Sequence, residues 1–371
     1  MRNLSDTIAR LAAYRAGPAS KPAGQVPSRL SAFADFGSNP GALLARTYLP
    51  PRLQDGAALV VVLHGCTQTA AGYDHGAGWS TLAERHGFAL LIPEQQRANN
   101  ANLCFNWFEP GDIRRGQGEA LSISQMVEAM TARHRLDRRR VFVTGLSAGG
   151  AMTTVMLATY PELFAGGAVI AGLPYGSAAT IPEAFDRMRG HDLPGGERLQ
   201  ALLRGASSHE GPWPTLSVWH GSADRTVHPG NAAAIIEQWR SIQGLAVEPD
   251  VSEQVDGHRR RVWRSLEGRD LIEEYSIGGM GHGTPLADDG IGQPGPFMLR
   301  AGISSSQRIA GFWGLTPADA QIVQRGAAAA PVPAAEELVG ARPGTPADVQ
   351  PAPAGVRKII EDALRSAGLM R

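Results

Sequence analysis

Short apolar runs alternate with helix-like segments over most of the chain. The apolar runs are dense in Val, Leu and Ile, and the segments between them place apolar residues on one helical face. Strands of this kind, separated by helices, are typical of a parallel sheet buried on both faces. The pattern therefore predicts an α/β fold with a mostly parallel, doubly wound sheet and helices on both faces. The predicted strands are 58–64, 88–92, 141–144, 167–170, 216–220 and 271–277, and the main helices are 80–86, 123–134, 148–160 and 232–243.

Two further patterns set the predicted organisation of the chain. Residues 259–266 and 271–277, joined by a short Gly-containing turn, predict a hairpin that includes the last strand. After Leu315 a short helix precedes a segment rich in Ala and Pro, which is typical of a linker, and an amphipathic helix ends the chain. We therefore expect an N-terminal helix and arm (1–29), a main domain (30–315) and a tail (316–371). The apolar stripe of the last helix indicates packing, either on its own domain or in self-association with a second subunit.

Composition and charge exclude several classes of protein. The 371 residues are 43% hydrophobic and 19% charged, as in ordinary globular proteins, and the formal net charge of zero provides no basic surface for nucleic acid. Lys21 and Lys358 are the only lysines and neither lies in a Gly-Lys-Ser/Thr motif, so a P-loop nucleotide site is excluded. The G-x-G-x-x-G match at 290–295 follows two aspartates rather than a strand and contains Pro294. No zinc-binding spacing occurs, so we predict neither a cofactor nor a metal.

The apolar stretches also bear on membranes and export. The uncharged segment 141–161 contains glycines and hydroxyl side chains that favour a strand, a turn and a helix, so no membrane span is predicted. The first residues contain charges between apolar positions and lack the apolar core of a signal peptide. The lack of a recognisable signal peptide favours a cytoplasmic location.

A candidate nucleophile lies in the segment Gly145-Leu146-Ser147-Ala148-Gly149, which fits G-x-S-x-G. A predicted strand precedes it and a predicted helix follows, as in the strained turn that exposes a nucleophilic serine. Glycines are needed on either side because a side chain there would collide with neighbouring backbone. The first N–H groups of the helix would face the developing negative charge.

A serine nucleophile requires a base and a group that orients the base, in the order Ser, Asp, His for this kind of sheet. Asp224 follows a predicted strand that ends near His220, and we expect His220 to shape that loop. His282 follows the last long strand in a glycine-rich loop. Ser147, Asp224 and His282 are therefore the predicted catalytic residues.

The loop after the first predicted strand provides a candidate oxyanion hole. The backbone N–H groups of Cys66 and Ala148 are expected to bind the oxygen of the tetrahedral intermediate. Cys66 and Cys104 are the only cysteines, and their loops bring them within plausible bridging reach. We expect the two cysteines to be adjacent, and whether they form a disulfide stays open at this point.

The ordered set of motifs resembles the polyhydroxybutyrate (PHB) depolymerase family of esterases, relatives of feruloyl and acetylxylan esterases. The resemblance covers roughly residues 30 to 315. It implies an α/β-hydrolase fold, Ser147 as nucleophile with Asp224 and His282 as its partners, and ester hydrolysis without a cofactor. The segments that carry it are 63–68, 83–88, 93–94, 106–110, 145–150, 172–176, 220–224, 281–282, 302–305 and 312–315.

The expected activity is that of a serine esterase acting on 3-hydroxybutyrate polyester or oligomers, or on similar short acyl esters. A feruloyl or acetylxylan esterase is an alternative, and the same triad would also serve a peptidase or an acyltransferase. A non-catalytic α/β-hydrolase-like interaction protein is a rival of another class. Family members also include secreted enzymes, which have a signal peptide and a separate substrate-binding domain.

Aromatic residues on or near the loops around the candidate site could bind an apolar acyl chain. The predicted substrate-binding residues are Tyr73, Trp79, Trp107 and Tyr175.

Overall fold

The computed structural model describes residues 28–316. The strands are β1 (Ser31–Ala32), β2 (Leu44–Tyr48), β3 (Leu59–Leu63), β4 (Ala89–Glu94), β5 (Val141–Leu146), β6 (Gly166–Ile170), β7 (Thr215–Gly221), β8 (Val251–Val255), β9 (His258–Arg264), β10 (Asp270–Ile277), β11 (Thr284–Leu286) and β12 (Met298–Arg300). The helices are α1 (Ala70–Ala77), α2 (Trp79–His86), α3 (Gly118–Arg133), α4 (Ala148–Thr159), α5 (Ile181–Met188), α6 (Gly196–Arg204), α7 (Gly230–Ile242) and α8 (Ser305–Phe312), with a 3₁₀ turn at Pro161–Leu163.

A ten-stranded sheet organises these elements in the order β1-β2-β4-β3-β5-β6-β7-β10-β9-β8. The strands from β4 to β10 in that order pair in parallel, whereas both edges of the sheet are antiparallel. The predicted mostly parallel sheet is confirmed, and β9 and β10 form the predicted hairpin. Because the parallel strands β5, β7 and β10 run in the same direction, the loops that follow them meet at one edge of the sheet.

The sheet is covered on both faces because its central strands are apolar on both sides. Leu59, Val61 and Leu63 of β3 belong to one buried cluster, and Val60 and Val62 belong to the other. All five side chains are fully buried. Helices α3, α4 and α7 contribute to the first cluster, and α1, α2 and α8 to the second. This is the doubly wound arrangement predicted from the sequence.

The structure adds elements that the apolar pattern does not predict. These are the edge strands β1, β2 and β8, the small sheet formed by β11 and β12, and helices α1, α5, α6 and α8. The predicted N-terminal helix, short helix after Leu315, linker and C-terminal helix lie outside the described residues, and the domain boundaries stay predictions. Within residues 28–316, no helix combines the length and the apolar character needed to cross a membrane.

Candidate active site

Ser147 occupies a strained turn between β5 and α4. Its backbone has φ 57° and ψ −119°, a region that residues with a side chain rarely adopt. The Ser147 N–H donates to the carbonyl of Ile170 on the neighbouring strand, at 2.9 Å. The turn holds Ser147 at the carboxyl end of β5, and its side chain lines a cavity at that edge of the sheet.

The glycines on either side of Ser147 allow α4 to lie directly against β3. A Cβ atom on Gly149 would lie 2.3 Å from the carbonyl oxygen of Leu63 and 2.5 Å from that of His64. A Cβ atom on Gly145 would lie 2.4 Å from the carbonyl oxygen of Gly149. These distances are shorter than any real Cβ contact, so neither position accepts a side chain unless the backbone moves. The two glycines of G-x-S-x-G are therefore required by this close approach.

Asp224 and His282 form a directly hydrogen-bonded pair. The Nδ1 atom of His282 lies 2.7 Å from Oδ2 of Asp224, and the other carboxylate oxygen accepts the backbone N–H groups of Thr226 (2.8 Å) and Val227 (2.9 Å). Burial alone would raise the pKa of Asp224. Hydrogen bonds from His220 and His282 outweigh burial and hold this pKa well below its usual range. Asp224 is therefore a carboxylate, and it accepts the Nδ1–H of His282.

The loops that carry Asp224 and His282 are bonded to each other. The amide of Ala223 donates to the Met280 carbonyl at 3.0 Å, and the amide of Gly279 donates to the Ser222 hydroxyl at 2.9 Å. Gly221 packs so closely that an added Cβ would lie 2.3 Å from the Met280 oxygen. The two loops thus hold the Asp–His pair in place before any ligand binds.

A second histidine shapes the loop of Asp224, as the sequence predicted. His220 is buried, and its Nε2 lies 2.8 Å from the carbonyl oxygen of Val227 and 3.5 Å from Oδ2 of Asp224. Val227 is therefore held from both sides, through its N–H by Asp224 and through its carbonyl by His220.

Ser147 and His282 line the same cavity, which has a volume of about 240 Å³. Asp224 lies behind His282 and is buried. The structure thus places all three predicted catalytic residues at one edge of the sheet. One wall of the cavity is the apolar face of α5. The other walls come from the loops 65–68 and 100–109 and from residues Thr226 and Phe297. The side chains of α5 that line it are Ile181, Ala184, Phe185 and Met188.

The two amides predicted to form the oxyanion hole both lie at this edge. Ala148 is the first residue of α4, so its N–H has no partner within the helix. Cys66 follows β3 and lines the cavity. Within residues 28–316 neither amide donates a hydrogen bond to protein. Both N–H groups are therefore available to an oxyanion.

The structure joins Cys66 and Cys104 by a disulfide, which answers the question left open by the sequence. Their Cα atoms are 4.2 Å apart, and both residues line the cavity. The bond connects the loop after β3 to the loop after β4. It therefore fixes the candidate oxyanion loop to the neighbouring loop 100–109, which also lines the cavity.

Of the four aromatic residues predicted to bind substrate, the structure places only Trp107 in the cavity wall. Tyr73 and Trp79 lie on α1 and α2 and are fully buried in the core, where Tyr73 contacts Thr284 and Trp79 stacks on Trp313. Tyr175 is buried in the other core cluster. Tyr73 and Trp79 fill the core because their helices pack against the sheet, whereas Tyr175 lies in the loop after β6, where its backbone bonds to the buried side chain of Gln238. We therefore do not retain Tyr73, Trp79 and Tyr175 as substrate contacts.

The wall formed by α5 is not among the elements predicted from the sequence. Its cavity-lining residues Ile181, Ala184, Phe185 and Met188 follow the i, i+3, i+4, i+7 spacing of an amphipathic helix. Thr180 caps this helix by accepting the Glu183 N–H. That spacing, preceded by a capping threonine, was the signal that could have identified it. Within the same described part of the chain, no group of three or more His, Cys, Asp or Glu side chains is arranged to hold a metal.

Comparison with known proteins identifies the family of this chain. The family described as "Esterase PHB depolymerase" matches residues 43–261. Poly(3-hydroxyalkanoate) depolymerase C of Paucimonas lemoignei is 49% identical over 296 residues, which cover 77% of this chain and 70% of the relative. Acetylxylan esterase A of Aspergillus oryzae is 31% identical over 267 residues, which cover 70% of this chain and 86% of the relative.

A solved structure shares the fold. The acetyl xylan esterase from Aspergillus awamori matches with a TM-score of 0.66 and 26% identity, covering 77% of this chain and 99% of that chain. The chain therefore belongs to the PHB depolymerase family of esterases, and it is a carboxylic ester hydrolase with the α/β-hydrolase fold.

Proposed function

We propose that Ser147, His282 and Asp224 are the catalytic triad of this esterase and that the amides of Cys66 and Ala148 form its oxyanion hole. One observation carries the proposal: the hydrogen-bonded Asp224–His282 pair opens onto the cavity that Ser147 lines. The strained turn at Ser147 supports it further, since such strain persists where a nucleophile must be exposed.

The proposed reaction has two acyl-transfer steps. Because Nδ1 of His282 donates to Asp224, Nε2 is the nitrogen that accepts a proton. Ser147 Oγ attacks the ester carbonyl while its proton passes to Nε2, and the amides stabilise the oxyanion. The C–O bond to the alcohol then breaks, and the alcohol leaves with the proton from Nε2. Water attacks the acyl-enzyme by the same route, releasing the acid and regenerating Ser147.

The proposed substrates are 3-hydroxybutyrate polyester or oligomers, or similar short acyl esters. The relative of highest identity named above is a poly(3-hydroxyalkanoate) depolymerase. A cavity of about 240 Å³ with one wall of aliphatic and aromatic side chains suits a short apolar acyl chain. Hydrolysis of feruloyl or acetylxylan esters is the alternative. The 31% identity to an acetylxylan esterase supports it, so these esters are included in the test.

The experiment compares wild type, Ser147→Ala and the control Ser208→Ala, whose side chain is exposed. Each protein is assayed against hydroxybutyrate oligomers, p-nitrophenyl butyrate, feruloyl esters and acetylated xylan, and is treated with a fluorophosphonate probe. We expect hydrolysis and labelling in wild type and Ser208→Ala, and neither in Ser147→Ala. Turnover by folded Ser147→Ala would overturn the assignment of the nucleophile. An unlabelled wild type would support a non-catalytic protein, and the preferred ester distinguishes the substrate classes.

A further inference from the structure

A buried carboxylate that the proposed mechanism does not use lies beneath the candidate oxyanion loop. Glu119, the second residue of α3, has no exposed surface. Its Oε1 accepts the side-chain amides of Gln95 (2.6 Å) and Asn99 (3.2 Å), and its Oε2 accepts the backbone N–H of Asn106 (2.9 Å). Every one of these partners is a donor. The arrangement therefore fits the ionised form of Glu119, which only accepts hydrogen bonds.

The first connection from Glu119 to the oxyanion loop passes through Gln95 and His64. The backbone N–H of Gln95 donates to Nε2 of His64 at 3.1 Å, so Nδ1 of this ring carries the proton and donates to the Gly65 carbonyl at 2.8 Å. His64 is fully buried, and burial lowers its pKa, which keeps the ring neutral. Gly65 immediately precedes Cys66, whose amide is the proposed oxyanion donor.

The second connection passes through the loop after β4. The Asn106 side chain accepts a hydrogen bond from Asn100 (2.9 Å), and the Asn100 oxygen accepts the backbone N–H groups of Asn102 (3.0 Å) and Cys104 (3.2 Å). The Asn102 carbonyl in turn accepts the Thr67 N–H at 2.7 Å. Cys104 is bonded to Cys66 by the disulfide. Residues 65, 66 and 67 are thus all held by groups that Glu119 orders.

We propose that Glu119 is a positioning residue for the oxyanion hole, and that only its ionised form holds the Cys66 amide in the orientation that stabilises the transition state. This inference rests on the proposed function. A protonated Glu119 has an O–H that must donate, yet the three groups facing its oxygens are donors themselves. Protonation therefore either breaks one of these hydrogen bonds or leaves a buried O–H without an acceptor. It also weakens the remaining bonds on both oxygens, because the negative charge of the acceptor is lost, so both connections are loosened.

The ionisation of Glu119 falls in an accessible pH range. Burial, with a smaller contribution from the nearby carboxylate of Asp112, raises the pKa of Glu119 to about 8, although the hydrogen bonds from Asn106, Gln95 and Asn99 lower it. Asp112 accepts the Glu119 backbone N–H at 3.1 Å. Gln95, Asn99 and Asn106 are uncharged, and His64 is neutral. Raising the pH therefore ionises Glu119 and should increase kcat, because the oxyanion donor acts in the transition state, while KM stays nearly constant.

The test measures kcat and KM for p-nitrophenyl butyrate from pH 6 to pH 10. The variants are Glu119→Gln, which cannot ionise, and the control Glu128→Gln, an exposed position on the same helix. We expect wild type and the control to show a rise in kcat near pH 8 that Glu119→Gln lacks. At pH 9.5 the kcat of Glu119→Gln should be lower by about 10- to 100-fold, part of the effect of losing one oxyanion donor.

Folded Glu119→Gln with the wild-type kcat profile would overturn the inference and leave the triad assignment untouched, because Ser147→Ala and probe labelling test the triad separately. If Glu119→Gln does not fold, Asp112→Asn decides the question. Removing the neighbouring charge should move the rise in kcat to lower pH. A rise that stays at its wild-type pH in Asp112→Asn would overturn the inference.

Discussion

Replacing Gly149 by alanine tests whether the close approach of α4 to β3 fixes the position of the nucleophile. The added Cβ would lie 2.3 Å from the Leu63 oxygen and 2.5 Å from the His64 oxygen, both of them backbone atoms that cannot rotate away. Relief of this overlap requires α4 to move away from β3 by about 1 Å, and an error of that size costs catalysis about 100-fold. Overpacking of this kind also destabilises a protein by about 1–3 kcal/mol.

We therefore expect Gly149→Ala to lower kcat for p-nitrophenyl butyrate by about 100-fold, with a smaller effect on KM. Steady-state kinetics gives both constants, and urea denaturation gives the change in the free energy of unfolding. Gly111→Ala is the matched control because a Cβ atom there meets nothing within 4 Å and its φ is not positive. A folded Gly149→Ala enzyme with wild-type kcat would show that the glycine is not needed to place Ser147 and the Ala148 amide.

Three further substitutions test other parts of the site. Asp224→Asn should lower kcat by about 10⁴-fold with little change in folding, because the asparagine side chain no longer fixes the proton of His282 on Nδ1. Stopped assays on hydroxybutyrate oligomers measure this loss. Cys104→Ser removes a cross-link to Cys66 that spans 38 residues. Urea denaturation should show that the free energy of unfolding falls by about 3–4 kcal/mol. Phe185→Ala enlarges the cavity, so the kcat/KM ratio of hexanoate to butyrate p-nitrophenyl ester should rise about tenfold.

Each of these predictions has a direct control. Asp288→Asn changes an exposed carboxylate and should retain full activity; a similar loss in both aspartate variants would refute the role given to Asp224. Reductant should lower the free energy of unfolding of wild type and leave that of Cys104→Ser unchanged. Equal stability of the oxidised wild type and the variant would contradict a stabilising role for the disulfide. An unchanged chain-length preference in Phe185→Ala would mean that α5 does not contact the acyl chain.

The central sheet was predictable because its strands are buried on both faces and read as continuous apolar runs. The edge strands were not, since β8 alternates partly buried and exposed positions, with only its last residue buried, and contains polar side chains such as Glu253. Ser147, Asp224 and His282 could be proposed as a triad from the sequence because each follows a predicted strand, and the structure places the carboxyl ends of those strands at the same edge. The sequence places them in loops, and the direction of parallel strands brings those loops together.

Contacts within the cavity were harder to predict because the same residue types fill cores and bind ligands. Trp79 and Trp107 are both buried aromatics near the loops in sequence, yet one packs between helix and sheet and the other lines the cavity. Glu119 carries no motif, and its importance depends on amide groups that come from separate segments. Only the folded chain shows which donors meet at that carboxylate.

The helix α5, which forms the apolar wall, is held by hydrogen bonds to the start of α7 and the residues just before it rather than by the sheet. The Met188 carbonyl accepts the His228 N–H at 2.7 Å, the Arg187 carbonyl accepts the Asn231 side chain at 2.8 Å, and α6 packs on α7. All of this wall belongs to the single crossover between β6 and β7, whereas Ser147 and His282 follow other strands. Substitutions in this one crossover can therefore change the apolar wall, and with it substrate preference, provided that the carbonyls of residues 187 and 188, which hold residues 228 and 231 beyond the Asp224 loop, keep their positions.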